Sequence, residues 1–464
     1  MKPGIELAGK RVLVVGLART GIATALFCAQ RGARVTATET RVESQIGDAV
    51  AKLRAAGVSL ELGGHQRETF LEQDLIVPSP GVPSNMPQLA AARQKGVNVW
   101  SEVELASRFL SGRLVGITGS NGKTTTTSLI AHILETAQFP TLLAGNIGTP
   151  LISRVEDSSD ASVTVVELSS FQLELTEKFR PNVSVWLNLT PDHLDRHGSL
   201  EAYGQAKAKM FANQTEQDAA VLNADDPQTP PYAPQRPQVF WFSRTKRVAG
   251  GAFLRGEEIV FRRDGNDTVL LRRADIGLRG EHNLENVLAA SAAAYLAGAR
   301  PEAIASGVRS FAGVEHRLEF VAEVAGVSYY NDSKATNVDA TLKAMDAFPG
   351  ALLIILGGKD KGSDYTLLRE TLKEKARMAY LIGAAAEKIA DQISGVVPIE
   401  RAETLERAVQ LAANLAAPGD TVLLAPACAS FDQFENYEHR GRVFKQLVRQ
   451  IEQKTASQAP AGRR

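Results

Sequence analysis

Short apolar runs rich in β-branched residues alternate with longer segments of helical spacing along most of the chain. RVLVVG (11–16) reads as a strand, TGIATALFCAQRG (20–32) as a helix and ARVTATE (33–39) as a second strand. The run DLIVPSPGVP (74–83) ends in a Pro/Gly turn, and NVWSEVELASRF (98–109) leads into the strand RLVGITG (113–119). Further on, VTVVEL (163–168) and VSVWLNLT (183–190) are apolar enough to be buried strands, and GGAFLRGEEIVFRRDGNDTVLLRR (250–273) reads as hairpins around Arg-Gly-Glu and Asp-Gly-Asn turns. The last third repeats the rhythm with VSYYND, ALLIILGG, MAYLIGA and TVLLAPA as strands. This alternation predicts an α/β fold with mostly parallel sheets.

The breaks in the pattern suggest three domains: 1–102, 103–312 and 313–464. DDPQTPPYAPQRP (225–237) is expected to be a proline-rich surface connection, and the polar tail from about 455, TASQAPAGRR, to be disordered. A length of 464 residues fits that number, at roughly 150 residues per domain.

Composition adds mainly exclusions. With 52 basic against 52 acidic residues, nothing is built for nucleic acid. The two cysteines, Cys28 and Cys428, fit neither a disulfide framework nor a metal motif, and a reducing cytoplasm is the expected setting. No apolar run approaches the roughly 20 residues that span a bilayer, and the N-terminus lacks the form of a cleaved signal, so neither membrane insertion nor export is expected.

Candidate chemistry begins at RLVGITGSNGKTTTTS (113–128). The spacing G-x-x-x-x-G-K-[ST] of a phosphate loop fails at one place, where Ile117 stands for the first glycine. Even so, Gly119, Ser120, Asn121 and Gly122 lie between a strand and a helix, followed by Lys123, Thr124 and Thr125. Backbone N–H groups and the helix dipole would face an oligophosphate, Lys123 would reach its outer phosphates, and the Thr124 hydroxyl could meet Mg²⁺. An ordinary glycine-rich turn is the alternative. Glu167 ends the next strand, where a carboxylate can hold the metal of such a site. His193, Asp195 and His197 tempt a zinc reading, but there is no cysteine or third histidine near them. His193 is expected to join Glu167 at magnesium, with His197 a solvated loop residue. In the first domain, Gly16 and Gly21 form a weak dinucleotide fingerprint, with Ala18 at the middle glycine and Glu39 placed to meet a ribose.

TGSNGKT, ELSSFQLE, NLTPDHLDRH, AKAKMF, GEHNLENVLAA, HRLE, NDSKATN and PACASFDQF occur in this order, and together they resemble the Mur ligases over nearly the whole chain. In that family the loop is written T-G-[ST]-N-G-K-T, so Ile117 is ordinary there. The resemblance implies a Rossmann-like N-terminal domain for a UDP sugar, a central P-loop ATPase domain, and a Rossmann-like C-terminal domain for an amino acid. It also implies a cytoplasmic, monomeric enzyme of peptidoglycan precursor synthesis. The implied reaction is ATP-dependent addition of D-glutamate to UDP-N-acetylmuramoyl-L-alanine through an acyl phosphate, with two Mg²⁺ ions.

By the same resemblance, Lys123, Thr124, Glu167 and His193 serve ATP and magnesium, and Lys207 becomes a carbamate that binds a second metal ion. Asn286, Arg317 and Asp332 contact the nucleotide. Leu17, Thr20, Glu39, Thr40, Ser79, Gly81 and Asn146 hold the UDP substrate. Lys334 and Thr336 face the incoming glutamate or the phosphates, and Lys361, Ser430 and Tyr437 face glutamate, with Lys359 a competitor for Lys361 and Tyr437 standing where phenylalanine is common. Without the resemblance, Lys207 reads as a surface lysine, Asn283 and Asn286 as capping residues and NDSKATN as an exposed loop. Cys428 reads as a small buried packing residue. Another Mur-type or folylpolyglutamate-type ligase, a non-catalytic ATP-driven switch and an NAD-dependent oxidoreductase are the competing functions.

Overall fold

In the computed structural model, residues 5–278 and 280–458 are described, the side chains of Asp195 and of 456–458 excepted. Three sheets account for the apolar runs. The first contains β1 (Arg11–Val15), β2 (Arg34–Glu39), β3 (Ser59–Leu62), β4 (Leu75–Pro78) and β5 (Asn98–Val99), ordered β3-β2-β1-β4-β5 and parallel throughout. Val12 and Val14 enter one core cluster while Leu13 and Val15 enter another, because successive side chains leave opposite faces of a strand that is covered on both.

The second sheet has nine strands: β6 (Arg113–Thr118), β7 (Thr141–Gly145), β8 (Val163–Glu167), β9 (Val183–Trp186), β10 (Ala219–Asn223), β11 (Gln238–Ser243), β12 (Gly251–Arg255), β13 (Glu258–Arg263) and β14 (Asn266–Arg272). Its order is β14-β13-β12-β11-β10-β9-β6-β8-β7. β12, β13 and β14 form the predicted antiparallel hairpins, and β6 lies between β8 and β9 with all three parallel. The third sheet is ordered β15-β16-β20-β17-β18-β19, from β15 (Glu319–Val324), β16 (Val327–Asn331), β17 (Leu352–Gly357), β18 (Ala376–Ile382), β19 (Ile399–Glu403) and β20 (Thr421–Leu424). Only its edge pair β15–β16 is antiparallel.

Residue contacts divide the chain into two compact units, Met1–Gly277 with Glu285–Phe311, and Leu278–Leu284 with Ala312–Arg464. The first two sheets belong to the first unit. Within it, Glu104 of the helix Glu102–Ser107 is wholly buried, and its carboxylate accepts the backbone N–H groups of Glu177, Lys178 and Phe179 at 2.9–3.1 Å.

Three expectations change. VSVWLNLT leaves the sheet after Trp186, because residues 187–190 turn aside to brace the glycine loop. The last helix, Tyr437–Gln458, runs through the first residues of the expected disordered tail, with Phe444 and Val448 in the core of the third sheet; 459–464 lie outside the described residues. NDSKATN is largely buried, since it passes between the ends of β16 and β20. Among the described residues, no helix is long and apolar enough to cross a membrane.

Candidate active site

The glycine loop closes the carboxyl end of β6, where its neighbours β8 and β9 also end. Gly122 has φ +82° and caps the helix Lys123–Thr136, and a Cβ there would overlap Asn286 Oδ1. Only glycine gives both the left-handed backbone and the space. The loop is held on its other side by the segment after β9. Ser120 N and Oγ donate to the carbonyls of Asn188 and Thr190 at 3.0 and 2.9 Å, and Asn121 N donates to Asn188 Oδ1 at 2.9 Å. Asn188 and Thr190, inside NLTPDHLDRH but given no role from sequence, therefore set the shape of the loop.

Lys123 Nζ donates to the carbonyls of Gly119 (2.9 Å) and Ser120 (2.8 Å). Thr124 and Thr125 begin the helix and are buried, as are Thr126, whose hydroxyl donates to Asn286 Oδ1 at 3.2 Å, and Thr127. Asn283 and Asn286 share the expected helix, Glu281–Leu296, and both are buried.

Lys207 is not a surface lysine: it is 1% exposed. The helix Leu200–Ala208 sends its Nζ to the Gly119 carbonyl at 2.8 Å and over the Tyr203 ring, 4.3 Å from the centroid. Burial, and then the charge of Lys123, lower its pKa well below that of an ordinary lysine, while Asp192 and Glu167 pull it back. Tyr203, another residue the sequence reading passed over, is itself buried and bonded to Ser120.

Glu167, at the end of β8, is 2% exposed. Oε1 accepts from Asn146 Nδ2 at 2.8 Å, whereas Oε2 is buried and accepts no hydrogen bond. A carboxyl oxygen left so in the interior fits a cation ligand better than a packing group. His193 adopts the left-handed region (φ +52°), remains half exposed, and faces Phe171 (centroids 4.9 Å apart) and Asp192; no hydrogen bond or ion pair joins it to Glu167. His197 overturns its expectation as a solvated residue. The turn Leu194–His197 places its side chain, 4% exposed, against Glu174 Oε1 at 3.2 Å and Ser170 Oγ at 3.0 Å.

In the first sheet, Leu17, Thr20, Glu39, Thr40, Ser79 and Gly81 follow the carboxyl ends of β1, β2 and β4, where strand order switches direction about β1. Ser79 Oγ donates to the Gly16 carbonyl at 2.8 Å, tying β4 to β1. Gly21 keeps the close helix-to-loop packing of the fingerprint, since a Cβ there would overlap the Gly16 carbonyl. Glu39 is committed to the fold: it accepts from Leu17 N at 2.8 Å and from Arg41 Nη2 at 2.9 Å. Burial raises its pKa, but the bonds from Arg41 and Leu17 prevail and hold it at about 2. Thr40 and Gly81 are exposed, and half-exposed Arg41 is a cation the sequence reading did not single out.

In the second unit, Arg317 is flanked by His316 and Leu318 at φ +65° and +41°. Two left-handed non-glycine residues in a row of three are costly, and such strain gathers at functional positions. Asp332 follows β16 in the interior. Burial raises its carboxyl to about 7, with Arg317 and Lys334 opposing the rise. Lys334 Nζ donates to Tyr437 Oη at 3.0 Å, so the extra hydroxyl of Tyr437 has a partner. Thr336 is half-buried beside this pair, Ser430 is buried at 2% exposure, and Lys361 and Lys359 are both on the surface. Cys428 is buried as expected, its thiol pushed up to about 11 by burial.

Arg440 organises this region, and nothing in the sequence distinguished it from a surface arginine in a helix. It is fully buried, and burial lowers its pKa to about 10. Nε donates to Ser333 Oγ (3.0 Å), and Nη2 to the carbonyls of Ser333 (2.9 Å) and Cys428 (3.1 Å). Nη1 is 3.4 and 3.5 Å from the carbonyls of Ala429 and Gly357. One guanidinium thus joins the segments after β16, β17 and β20, which carry Asp332 and Lys334, Lys361, and Ser430.

Comparison with known proteins assigns this arrangement to a family. A family description named Mur ligase middle domain matches residues 117–294, Mur ligase glutamate ligase domain matches 316–428, and Mur ligase MurD-like N-terminal domain matches 10–101. The UDP-N-acetylmuramoylalanine--D-glutamate ligase of Acidobacterium capsulatum is 54% identical over 96% of this chain and 97% of its own. That of Solibacter usitatus is 54% identical over 97% and 100%. Among solved structures, the MurF ligase of Thermotoga maritima in complex with ADP has a TM-score of 0.60 at 18% identity, covering 98% of this chain and 97% of its own. The UDP-N-acetylmuramate-alanine ligase MurC of Thermotoga maritima has 0.59 at 19%, covering 95% and 99%. These structures share the fold, and the curated relatives share the sequence nearly end to end: the chain belongs to the Mur ligase family.

Proposed function

We propose that this chain joins D-glutamate to UDP-N-acetylmuramoyl-L-alanine with cleavage of ATP to ADP and phosphate, a cytoplasmic step of peptidoglycan precursor synthesis carried out by a monomer. The reading is supported by relatives of that name at 54% identity. The observation in the fold that carries it is the convergence of Lys123 and Lys207 on the Gly119 carbonyl, beside a buried Glu167 with one unpartnered oxygen.

A carboxylate is a poor acyl donor until it gains a leaving group. Attack of a substrate carboxylate oxygen on the γ-phosphorus breaks the bond to ADP and yields an acyl phosphate. The glutamate amine then attacks the acyl carbon, phosphate departs and the nitrogen loses a proton. In this scheme the N–H groups at the start of the helix Lys123–Thr136 cradle the phosphates, and Lys123 exchanges its carbonyl partners for phosphate oxygens. Asn286, Arg317 and Asp332 serve the nucleotide. Lys334, Thr336, Lys361, Ser430 and Tyr437 serve glutamate. Leu17, Thr20, Glu39, Thr40, Ser79, Gly81 and Asn146 serve the UDP substrate. The corresponding division of the chain is 1–102, 103–312 and 313–464, supported by the three sheets and by the spans of the three family matches.

Thr124, Glu167, His193 and Lys207 are the proposed holders of two Mg²⁺ ions, and the unpartnered Glu167 Oε2 is the feature that fits them. Bound there, Mg²⁺ would neutralise charge on the transferring phosphoryl group. Lys207 would take part as a carbamate: its amine, made easier to deprotonate by burial, gives up the ammonium proton, adds to CO₂ and loses a second proton, converting a cation into an anion.

Phosphate release assayed with UDP-N-acetylmuramoyl-L-alanine and, separately, D-glutamate, L-glutamate and lysine tests the reading. Turnover is expected only with D-glutamate and only when both substrates are present. Equal use of L-glutamate, or ATP hydrolysis indifferent to either substrate, would overturn it.

A further inference from the structure

At the opposite edge of the central sheet from the glycine loop, a cavity of about 260 Å³ opens at the amino ends of β6 and β8. Four cationic residues line it, Arg108, Arg113, Lys178 and Arg180, and no carboxylate residue does. Two of the four are neutralised from outside the lining: Arg108 Nε by Glu104 at 2.6 Å and Arg180 Nε by Asp218 at 2.7 Å. Arg113 donates to the Ala297 carbonyl and lies over the Phe139 ring, and Lys178 is exposed; neither is in an ion pair among the described residues. Arg108 is also 3.5 Å from Glu177, so Arg113 and Lys178 are the two lining cations outside any ion pair among the described residues.

Thr164, from β8, also lines the cavity. It is 1% exposed, and its hydroxyl has no hydrogen-bond partner. Buried hydroxyls are nearly always paired, so an unpaired one beside uncompensated cations points to a polar ligand. Leu110 and Leu114 supply an apolar wall. An adjoining cavity of about 230 Å³ shares Arg113 and Asn182 and adds Arg263, so the cationic character continues beyond the first, although Asp218 lines that second space.

We propose that this back-edge cavity binds a small organic anion, a phosphate or carboxylate group on a compact apolar body. Its volume lies just below the roughly 300–1,000 Å³ typical of drug-sized ligands, so the ligand is of small-metabolite size. The anionic group would meet Arg113 and Lys178, with Thr164 Oγ donating to it and the apolar body against Leu110 and Leu114. This site is independent of the proposed reaction, and its nearest link to it is the strand β8, which runs from Thr164 to Glu167.

Calorimetric titration of the full chain with phenyl phosphate tests the proposal, with benzyl alcohol as the neutral counterpart. Saturable binding of phenyl phosphate is expected in the parent chain and, unchanged, in Lys123→Ala, whose phosphate loop is crippled. Lys178→Glu, which reverses the charge of an exposed side chain and keeps the backbone bond to Glu104, should weaken it by about tenfold or more in a variant whose unfolding midpoint is checked, and Thr164→Val by a smaller factor. Absence of saturable binding, equal binding of benzyl alcohol, or binding lost in Lys123→Ala yet kept in Lys178→Glu would each overturn the proposal.

Discussion

Lys123 and Lys207, 84 residues apart in the chain, donate to one acceptor, the Gly119 carbonyl, at 2.9 and 2.8 Å. Two ammonium groups on one oxygen is a repulsive arrangement, and the buried member, Lys207, has the proton affinity of its amine lowered by burial and by Lys123. A neutral amine is the form that reacts with CO₂.

Lys207→Ala should therefore reduce kcat by several orders of magnitude, with partial recovery in short carboxylic acids that replace the lost anion. Lys207→Arg, which cannot form a carbamate, should show no recovery. Rates of the parent chain in bicarbonate-depleted buffer, and again after bicarbonate is restored, give an independent measurement; indifference to both treatments would remove the carbamate.

Gly122→Ala should raise KM for ATP at least tenfold and destabilise the chain by about 1–2 kcal/mol, the usual cost of a left-handed residue with a Cβ. Adding Asn286→Ala removes the overlap with Asn286 Oδ1 but not the φ of +82°. The double variant should regain part of the stability in denaturant unfolding, whereas no regain would mean that backbone conformation alone sets the requirement.

Arg440→Ala should cost about 1–3 kcal/mol for the polar groups it leaves unpaired, and it should raise KM for glutamate more than KM for ATP, because the three segments it joins carry the proposed glutamate residues. Arg440→Lys should recover little, since a single ammonium cannot span the carbonyls of Ser333 and Cys428 together with the Ser333 hydroxyl. Urea unfolding and steady-state kinetics on both variants check this, and an unchanged glutamate KM in a folded variant would confine Arg440 to stability.

Glu102 predicts a pH dependence. It is wholly buried, Oε1 accepts from Ile152 N at 2.6 Å, Oε2 has no partner, and burial raises its carboxyl from 4.5 to about 7. The folded chain thus holds a proton that the unfolded chain has released. The contribution is complete below about 4.5 and is lost as pH rises through about 7, at up to about 1.4 kcal/mol per pH unit in that window. Asp332 titrates in the same range, so the comparison with Glu102→Gln isolates the effect. The Tm of the variant should fall less steeply between pH 5 and pH 7; parallel curves would place the pH dependence elsewhere.

Much of this site was legible in sequence because its residues sit at strand ends. RLVGITG, VTVVE and VSYYN are runs that stop where the chemistry starts: the first leads into the loop, the second ends on Glu167 and the third leads into Asp332. Residues on helices were harder to read. Lys207 and Arg440 lie in polar helical segments whose spacing does not reveal which face is covered, and both are buried because other chain segments close over them. His197 deceived for the same reason: a polar turn looks solvated until Phe171 and Glu174 pack against it.

The sequence by itself determined the alternation of strand and helix, the glycine loop with its lysine, and the family, since these rest on local spacing and on residue types in order. Tertiary structure alone decided that Lys123 and Lys207 share one carbonyl, that a single arginine joins three strand ends, and that cations gather at the far edge of the central sheet. Those relationships depend on packing between segments distant in the chain, and it is burial, which no local pattern encodes, that turns an ordinary lysine or carboxyl into a group with altered protonation.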